Sequence, residues 1–219
     1  MGCCTATGCD EFFSDRVARR DAARYRRRGL DGTARRIVAL ARHTGVAGRT
    51  ILEVGGGVGA IQIELLRAGA AHAEIVEISQ AYAPHAARLL DEAGLAGRVE
   101  RRHLDFAASP DEVPPADIVI MHRVVCCYPD IGALATAAAG HARRMLIVTS
   151  PRDAWWTRLG VAVVNLVQRL SRRTFRVHLH PPSTLAALAR GQGLEPAHMH
   201  RGRLWELRAF TRAPEASDT

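Results

Sequence analysis

The sequence predicts an α/β chain: a Rossmann-like, doubly wound, mostly parallel sheet covered by helices on both faces. Three observations carry this. Residues 50–59 read Thr-Ile-Leu-Glu-Val-Gly-Gly-Gly-Val-Gly, a short apolar run that stops at a glycine-rich turn, and residues 61–66 behind it have helical character. From residue 50 onward such runs alternate with helical stretches, the order that builds a parallel sheet with helices on both sides. The runs are short and lack period-2 alternation, as strands buried on both faces do. At 219 residues the chain is long enough for one such domain with a full core.

The elements follow in order. Residues 1–43 form an N-terminal arm and helices within the same unit: 1–10 read as a loose arm, and helices are predicted over 15–25 and 33–43, joined by a Gly-Leu-Asp-Gly turn at 29–32. The main domain spans 44–212. Its strands are expected at 50–54, 73–78, 99–103, 117–122 and 144–149, and its helices at 60–68, 81–93 and 131–141. A helical insertion occupies about 153–173. A helix over 182–191 opens on Pro-Pro-Ser, strand-like segments at 198–203 and 204–211 form an antiparallel edge, and 213–219 is a polar tail.

Composition narrows the setting. The formal charge is +8 and every basic residue is arginine; this reflects either biased usage or a basic face for phosphate or anionic lipid. No uninterrupted apolar run reaches the roughly 18 residues of a spanning helix, and the start lacks a signal peptide's apolar stretch, so a soluble, cytoplasmic protein is expected. The five cysteines, Cys3, Cys4, Cys9, Cys126 and Cys127, are odd in number and lack a CxxC pair. That speaks against a disulfide framework and against structural zinc, and leaves a soft-metal or redox-sensing thiol cluster as the alternative. Met1-Gly2 hints at myristoylation, but Ala6 stands where a hydroxyl is expected.

Gly55, Gly56, Gly57 and Gly59 let the backbone turn sharply and approach a ligand closely. The helix behind them offers free amides and a partial positive charge. This is a nucleotide-type cofactor site. Gly55-x-Gly57-x-x-Ala60 fits the dinucleotide fingerprint, so an NAD(P)-dependent oxidoreductase is one reading. Glu77, at the end of the second strand, suits more than one cofactor, because an acid there accepts hydrogen bonds from ribose hydroxyls. Three features favour a different cofactor: Glu53 two residues before the first glycine; Leu104-Asp105-Phe106 after the third strand, where a carboxylate meets an adenine amino group and a ring packs on the base; and little room for a separate substrate domain.

With Glu53 through Gly59, Glu77 and Asp105 in this order, residues 35–211 resemble the class I S-adenosylmethionine-dependent methyltransferases. The resemblance implies a seven-stranded sheet whose last strand is antiparallel, S-adenosylmethionine as cofactor, and a loop over 55–59 cradling its methionine end. Glu77 with Ile78 would hold the ribose, and Asp105 with Phe106 the adenine. Glu53 replaces the more usual Asp. The family's Asn/Asp-Pro-Pro-aromatic signature for amino methylation is absent, so nucleic acid is not the expected partner, although the arginine content keeps RNA methylation as an alternative.

Methyl transfer from a sulfonium is an in-line displacement, so the protein mainly aligns the reactants and keeps water out. A base is needed only where the acceptor must lose a proton. The acceptor is expected beyond the end of the fourth strand, at His122-Arg123-Val124-Val125-Cys126-Cys127-Tyr128-Pro129-Asp130. His122 is the candidate base. Arg123 would hold a carboxylate or phosphate, or pair with Asp130. Cys126, Cys127 and Tyr128 line the acceptor site, and the cysteines joined to the N-terminal three would make a soft-metal or arsenite site. His178 and His180, read as alternating on a strand, would point into the acceptor pocket; no metal is expected. A small-molecule acceptor and O-methylation follow.

Residues 159–167 are almost wholly apolar and are flanked by Trp155, Trp156 and Arg169, Arg172, Arg173. Three readings stand: a core or homodimer helix, a lid over an apolar acceptor, or a peripheral membrane contact through 155–173. This insertion, with Tyr25-Arg26-Arg27-Arg28, is similar to the magnesium-protoporphyrin O-methyltransferase-like branch. That likeness implies that Tyr25 closes over the cofactor and that the acceptor is a carboxylate on a large apolar molecule.

Overall fold

The computed structural model describes residues 12–213 together with Gly8. Helices α1 (Asp15–Arg28) and α2 (Gly32–His43) precede the sheet. Then follow β1 (Thr50–Val54), α3 (Ala60–Arg67), β2 (His72–Glu77), α4 (Ala83–Ala93), β3 (Val99–His103), β4 (Ala116–His122), α5 (Ile131–His141), β5 (Ala142–Pro151), α6 (Trp155–Leu170), α7 (Pro182–Gly191), β6 (Leu194–Arg201) and β7 (Trp205–Arg212). The seven strands form one sheet in the order β3-β2-β1-β4-β5-β7-β6. The first five run parallel, and β7 is antiparallel to both its neighbours.

The central strands are buried on both faces, and each face has its own core. Ile51, Ile118, Ile120, Met145 and Ile147 pack with Ile37, Ile63 and Leu65 under α2 and α3. Leu52, Val119, Met121, Leu146 and Val148 pack with Leu134, Leu185 and Phe210 under α5 and α7. Alternate residues of one strand thus feed opposite layers, which is why the strands read as continuous apolar runs.

Several boundaries differ from expectation. β6 begins at Leu194 rather than 198, carrying Pro196. Pro lacks an amide donor, but β6 is an edge strand and the register shifts between Pro196 and His198, the setting in which a sheet tolerates proline. β5 extends to Pro151 because β7 pairs with it along that length. Residues 173–181 form no strand, so the alternation of His178 and His180 is not strand geometry.

α6 runs through all of 155–170, beyond the apolar 159–167 stretch. Only Gln168 on it is buried, which overturns a core role for this helix. No helix among the described residues is long and apolar enough to cross a membrane.

Candidate active site

The carboxyl ends of β1, β2 and β4 meet under α1 and α2 around a cavity of about 270 Å³. This is the crevice where open parallel sheets bind ligands. Its floor is the turn after β1. Gly55 and Gly57 have φ of 69° and 53°, the left-handed region that side chains disfavour. A Cβ on Gly55 would also collide with the Val124 side chain. Gly59 serves differently: in left-handed conformation it caps α3 and is not among the residues of the cavity wall.

The acids around the turn are held by it. Glu77 Oε2 accepts from the Gly57 amide at 2.9 Å, and its Oε1 from the Ser79 amide at 3.0 Å. Glu53 is 2% exposed and accepts from Gln62 Nε2 at 2.6 Å. Burial pushes its pKa up to about 8, with the nearby Glu77 charge adding to the rise and the Gln62 hydrogen bond and Arg101 opposing it. Tyr25 lines the roof, and its hydroxyl donates to Glu64 at 2.6 Å.

Beyond β3, both Asp105 oxygens accept from the Tyr128 hydroxyl, at 3.1 and 3.0 Å, and Asp105 also caps the Ala107 amide at 3.1 Å. Phe106 reaches the cavity wall, but its ring is buried edge-on against His141 at 5.1 Å, within the core under α5. Ile78 lines the same wall.

At the end of β4, His122 Nδ1 lies 3.0 Å from Thr149 Oγ1 and its Nε2 4.0 Å from Asp31 Oδ2. Burial pulls the His122 pKa down, opposed by Asp31, so the ring is neutral near pH 7. Arg123 does not pair with Asp130. Its Nη2 lies 3.0 Å from Asp31, its guanidinium sits 4.9 Å from the Trp205 ring, and its backbone has φ 60°. Asp130 instead caps α5 through the Ala133 amide at 3.0 Å. Asp31 was missed by sequence reasoning. Its one signal was its place before α2, where it caps Thr33 and Ala34.

The acceptor-side candidates separate. Arg123, Cys127 and Tyr128 reach the cavity, whereas Cys126, His178 and His180 are not part of its wall. Cys126 is buried, its sulfur 3.7 Å from the Arg123 carbonyl and 3.8 Å from Cys127 Sγ. The His178 amide donates to the Cys126 carbonyl at 2.7 Å, and His180 Nε2 lies 2.9 Å from the Tyr128 carbonyl. The His178 backbone and the His180 ring thus brace the loop after β4, with the two imidazoles stacked on each other. α6 contributes no residue to the cavity wall, so the cavity gives its reading as a lid no support. Cys3, Cys4 and Cys9 lie outside the described residues.

No family model and no curated protein matches this sequence. Solved structures do match its fold. Magnesium protoporphyrin IX methyltransferase from Synechocystis PCC 6803, with bound SAH, is 21% identical, with 87% of this chain and 94% of that chain aligned at a TM-score of 0.67. An O-methyltransferase family protein from Burkholderia thailandensis is 19% identical, over 94% of this chain and 63% of that one, at 0.70. The cyclase SpnF is 16% identical, over 81% and 80%, at 0.60. One fold therefore accompanies different reactions, and the reaction must be argued from residues. The chain has the fold of the class I S-adenosylmethionine-dependent methyltransferases.

Proposed function

We propose that this protein is an S-adenosylmethionine-dependent methyltransferase that transfers a methyl group to an oxygen of a small molecule. One observation carries the reading: Glu53, the 55–57 turn, Glu77, Asp105 and His122, scattered over seventy residues of sequence, line a single cavity at the carboxyl end of the sheet.

The residues fit the cofactor. The left-handed 55–57 turn presents bare backbone to the cavity, which lets a ligand approach it closely. Glu53, held largely protonated below about pH 8 by burial, is a buried acid that a cationic ammonium would ionise. Glu77 faces the cavity with carboxylate oxygens suited to ribose hydroxyls. The cofactor supplies an activated methyl group; the chain supplies alignment and exclusion of water. Phe13, Tyr25, Leu30 and Ala34 of the N-terminal segment close the cavity from above.

His122 is the base of this proposal. Thr149 orients its Nδ1, burial keeps the ring neutral, and Nε2 is directed towards Asp31. On taking an acceptor proton, the imidazolium is stabilised by the Asp31 carboxylate. Arg123, already paired to Asp31, is placed to engage an anionic group on the acceptor.

Calorimetry with S-adenosylhomocysteine and NADH, followed by labelled-methyl transfer to fractionated cell extract, tests the reading. Binding of the former and label in the small-molecule fraction are expected. NADH binding without S-adenosylhomocysteine binding would establish the oxidoreductase alternative, and label in RNA would move the acceptor to nucleic acid.

A further inference from the structure

α6 is built inside out. Its inward stripe, at i, i+4, i+8 and i+11, is Thr157, Val161, Asn165 and Gln168. Asn165 ties this stripe to the following segment, donating to the Val177 carbonyl and accepting from the Val177 amide, both at 2.8 Å. The outward face carries Trp155, Trp156, Leu159, Val163, Leu166 and Leu170, with Trp155 72% and Leu170 76% exposed. A helix that turns polar residues inward and large apolar ones outward is made to be covered.

The charge around this face selects the cover. Arg158 at the start of the helix is paired with Asp153 at 2.9 Å, but residues 154–180 contain no acid to offset Arg169, Arg172, Arg173 and Arg176 at its far end, and the Arg152 guanidinium stacks 5.4 Å above Trp156. The net charge beside this face is positive, so an anionic cover complements it better than a second, equally basic copy. An anionic bilayer surface accepts the apolar stripe among its acyl chains, the tryptophans at headgroup level, and the arginines at its phosphates. At about 24 Å the helix is too short to span but suited to lying in the interface.

We infer that α6 is an interfacial helix that docks the protein on anionic lipid bilayers. The inference does not depend on methyl transfer.

Co-sedimentation of the full chain with phosphatidylcholine vesicles, with and without phosphatidylglycerol, tests it, with tryptophan emission followed in parallel. Binding that requires phosphatidylglycerol, weakens with salt and shifts the emission to the blue is expected. Leu166→Glu with Leu170→Glu should weaken it about tenfold or more, whereas Met199→Glu, exposed on the edge strand β6, should leave it unchanged. Arg169→Gln with Arg172→Gln and Arg173→Gln probes the charge without touching the apolar face, and should also reduce binding. Equal binding to both vesicle types regardless of salt, no binding to either, or a vesicle-independent dimer dissolved by the two leucine changes would each overturn the inference.

Discussion

Asp31 and Arg123, far apart in sequence, meet at 3.0 Å between carboxylate and guanidinium. The contact joins the start of α2 to the turn after β4, so the roof of the cavity is latched to the end of β4. The other Asp31 oxygen caps the Thr33 and Ala34 amides, each at 2.9 Å.

Asp31→Ala removes cap and latch together and should cost about 1–3 kcal/mol in urea unfolding; Asp31→Asn, which can still cap, should cost less. His122 beside it, the Ala34 amide and the Arg123 guanidinium hold the Asp31 pKa well below its ordinary 3.8. Its contribution to stability is therefore present above that value and lost as pH falls through the lowered one. An unfolding midpoint with the same acid dependence in both variants and the parent would refute this.

Glu53 behaves oppositely. Its folded pKa of about 8 exceeds its ordinary 4.5, so its contribution is full below 4.5, declines as pH rises and is gone above about 8. Glu53→Gln should flatten stability against pH across that window. Because a bound ammonium would ionise Glu53, cofactor binding near pH 7 should release a proton, seen as buffer-dependent calorimetric heats in the parent and absent in the variant.

Gly55→Ala should weaken cofactor binding at least about tenfold. The left-handed backbone alone costs about 1–2 kcal/mol for a side chain, and the new Cβ meets Val124. Gly94→Ala supplies the control, since Gly94 has φ 68° with open space around it: it should lose stability but keep cofactor affinity. Equal loss of affinity in both would show that strain, not the cradle, is responsible.

His122→Ala should lower turnover by about two orders of magnitude while leaving cofactor affinity nearly unchanged. Burial sets the His122 pKa below the ordinary 6.5, so the acid limb of the parent's rate profile should fall below that pH and vanish in the variant. A larger effect on affinity than on turnover would remove His122 from the chemistry.

The strands of the sheet, the glycine turn and the acids at the strand ends were legible because each is a local pattern. An apolar run, a turn needing positive φ and a carboxylate at a fixed offset are all written within a few residues. β6 was misplaced because Pro196 reads as a strand breaker, and only its edge position makes it harmless. His178 and His180 show the same limit, since their spacing suggested a strand facing a pocket while the segment is irregular and braces a loop.

The sequence by itself determined the fold class, the glycine turn after β1 and the placement of Glu53, Glu77 and Asp105 around it. The tertiary structure alone decided the partners: Asp31 rather than Asp130 for Arg123, Tyr128 for Asp105, Thr149 for His122, and solvent rather than core for the apolar face of α6. The physical reason is range. Backbone preference and periodicity act within one element, whereas ion pairs, burial and pKa shifts depend on which distant elements are packed against a side chain.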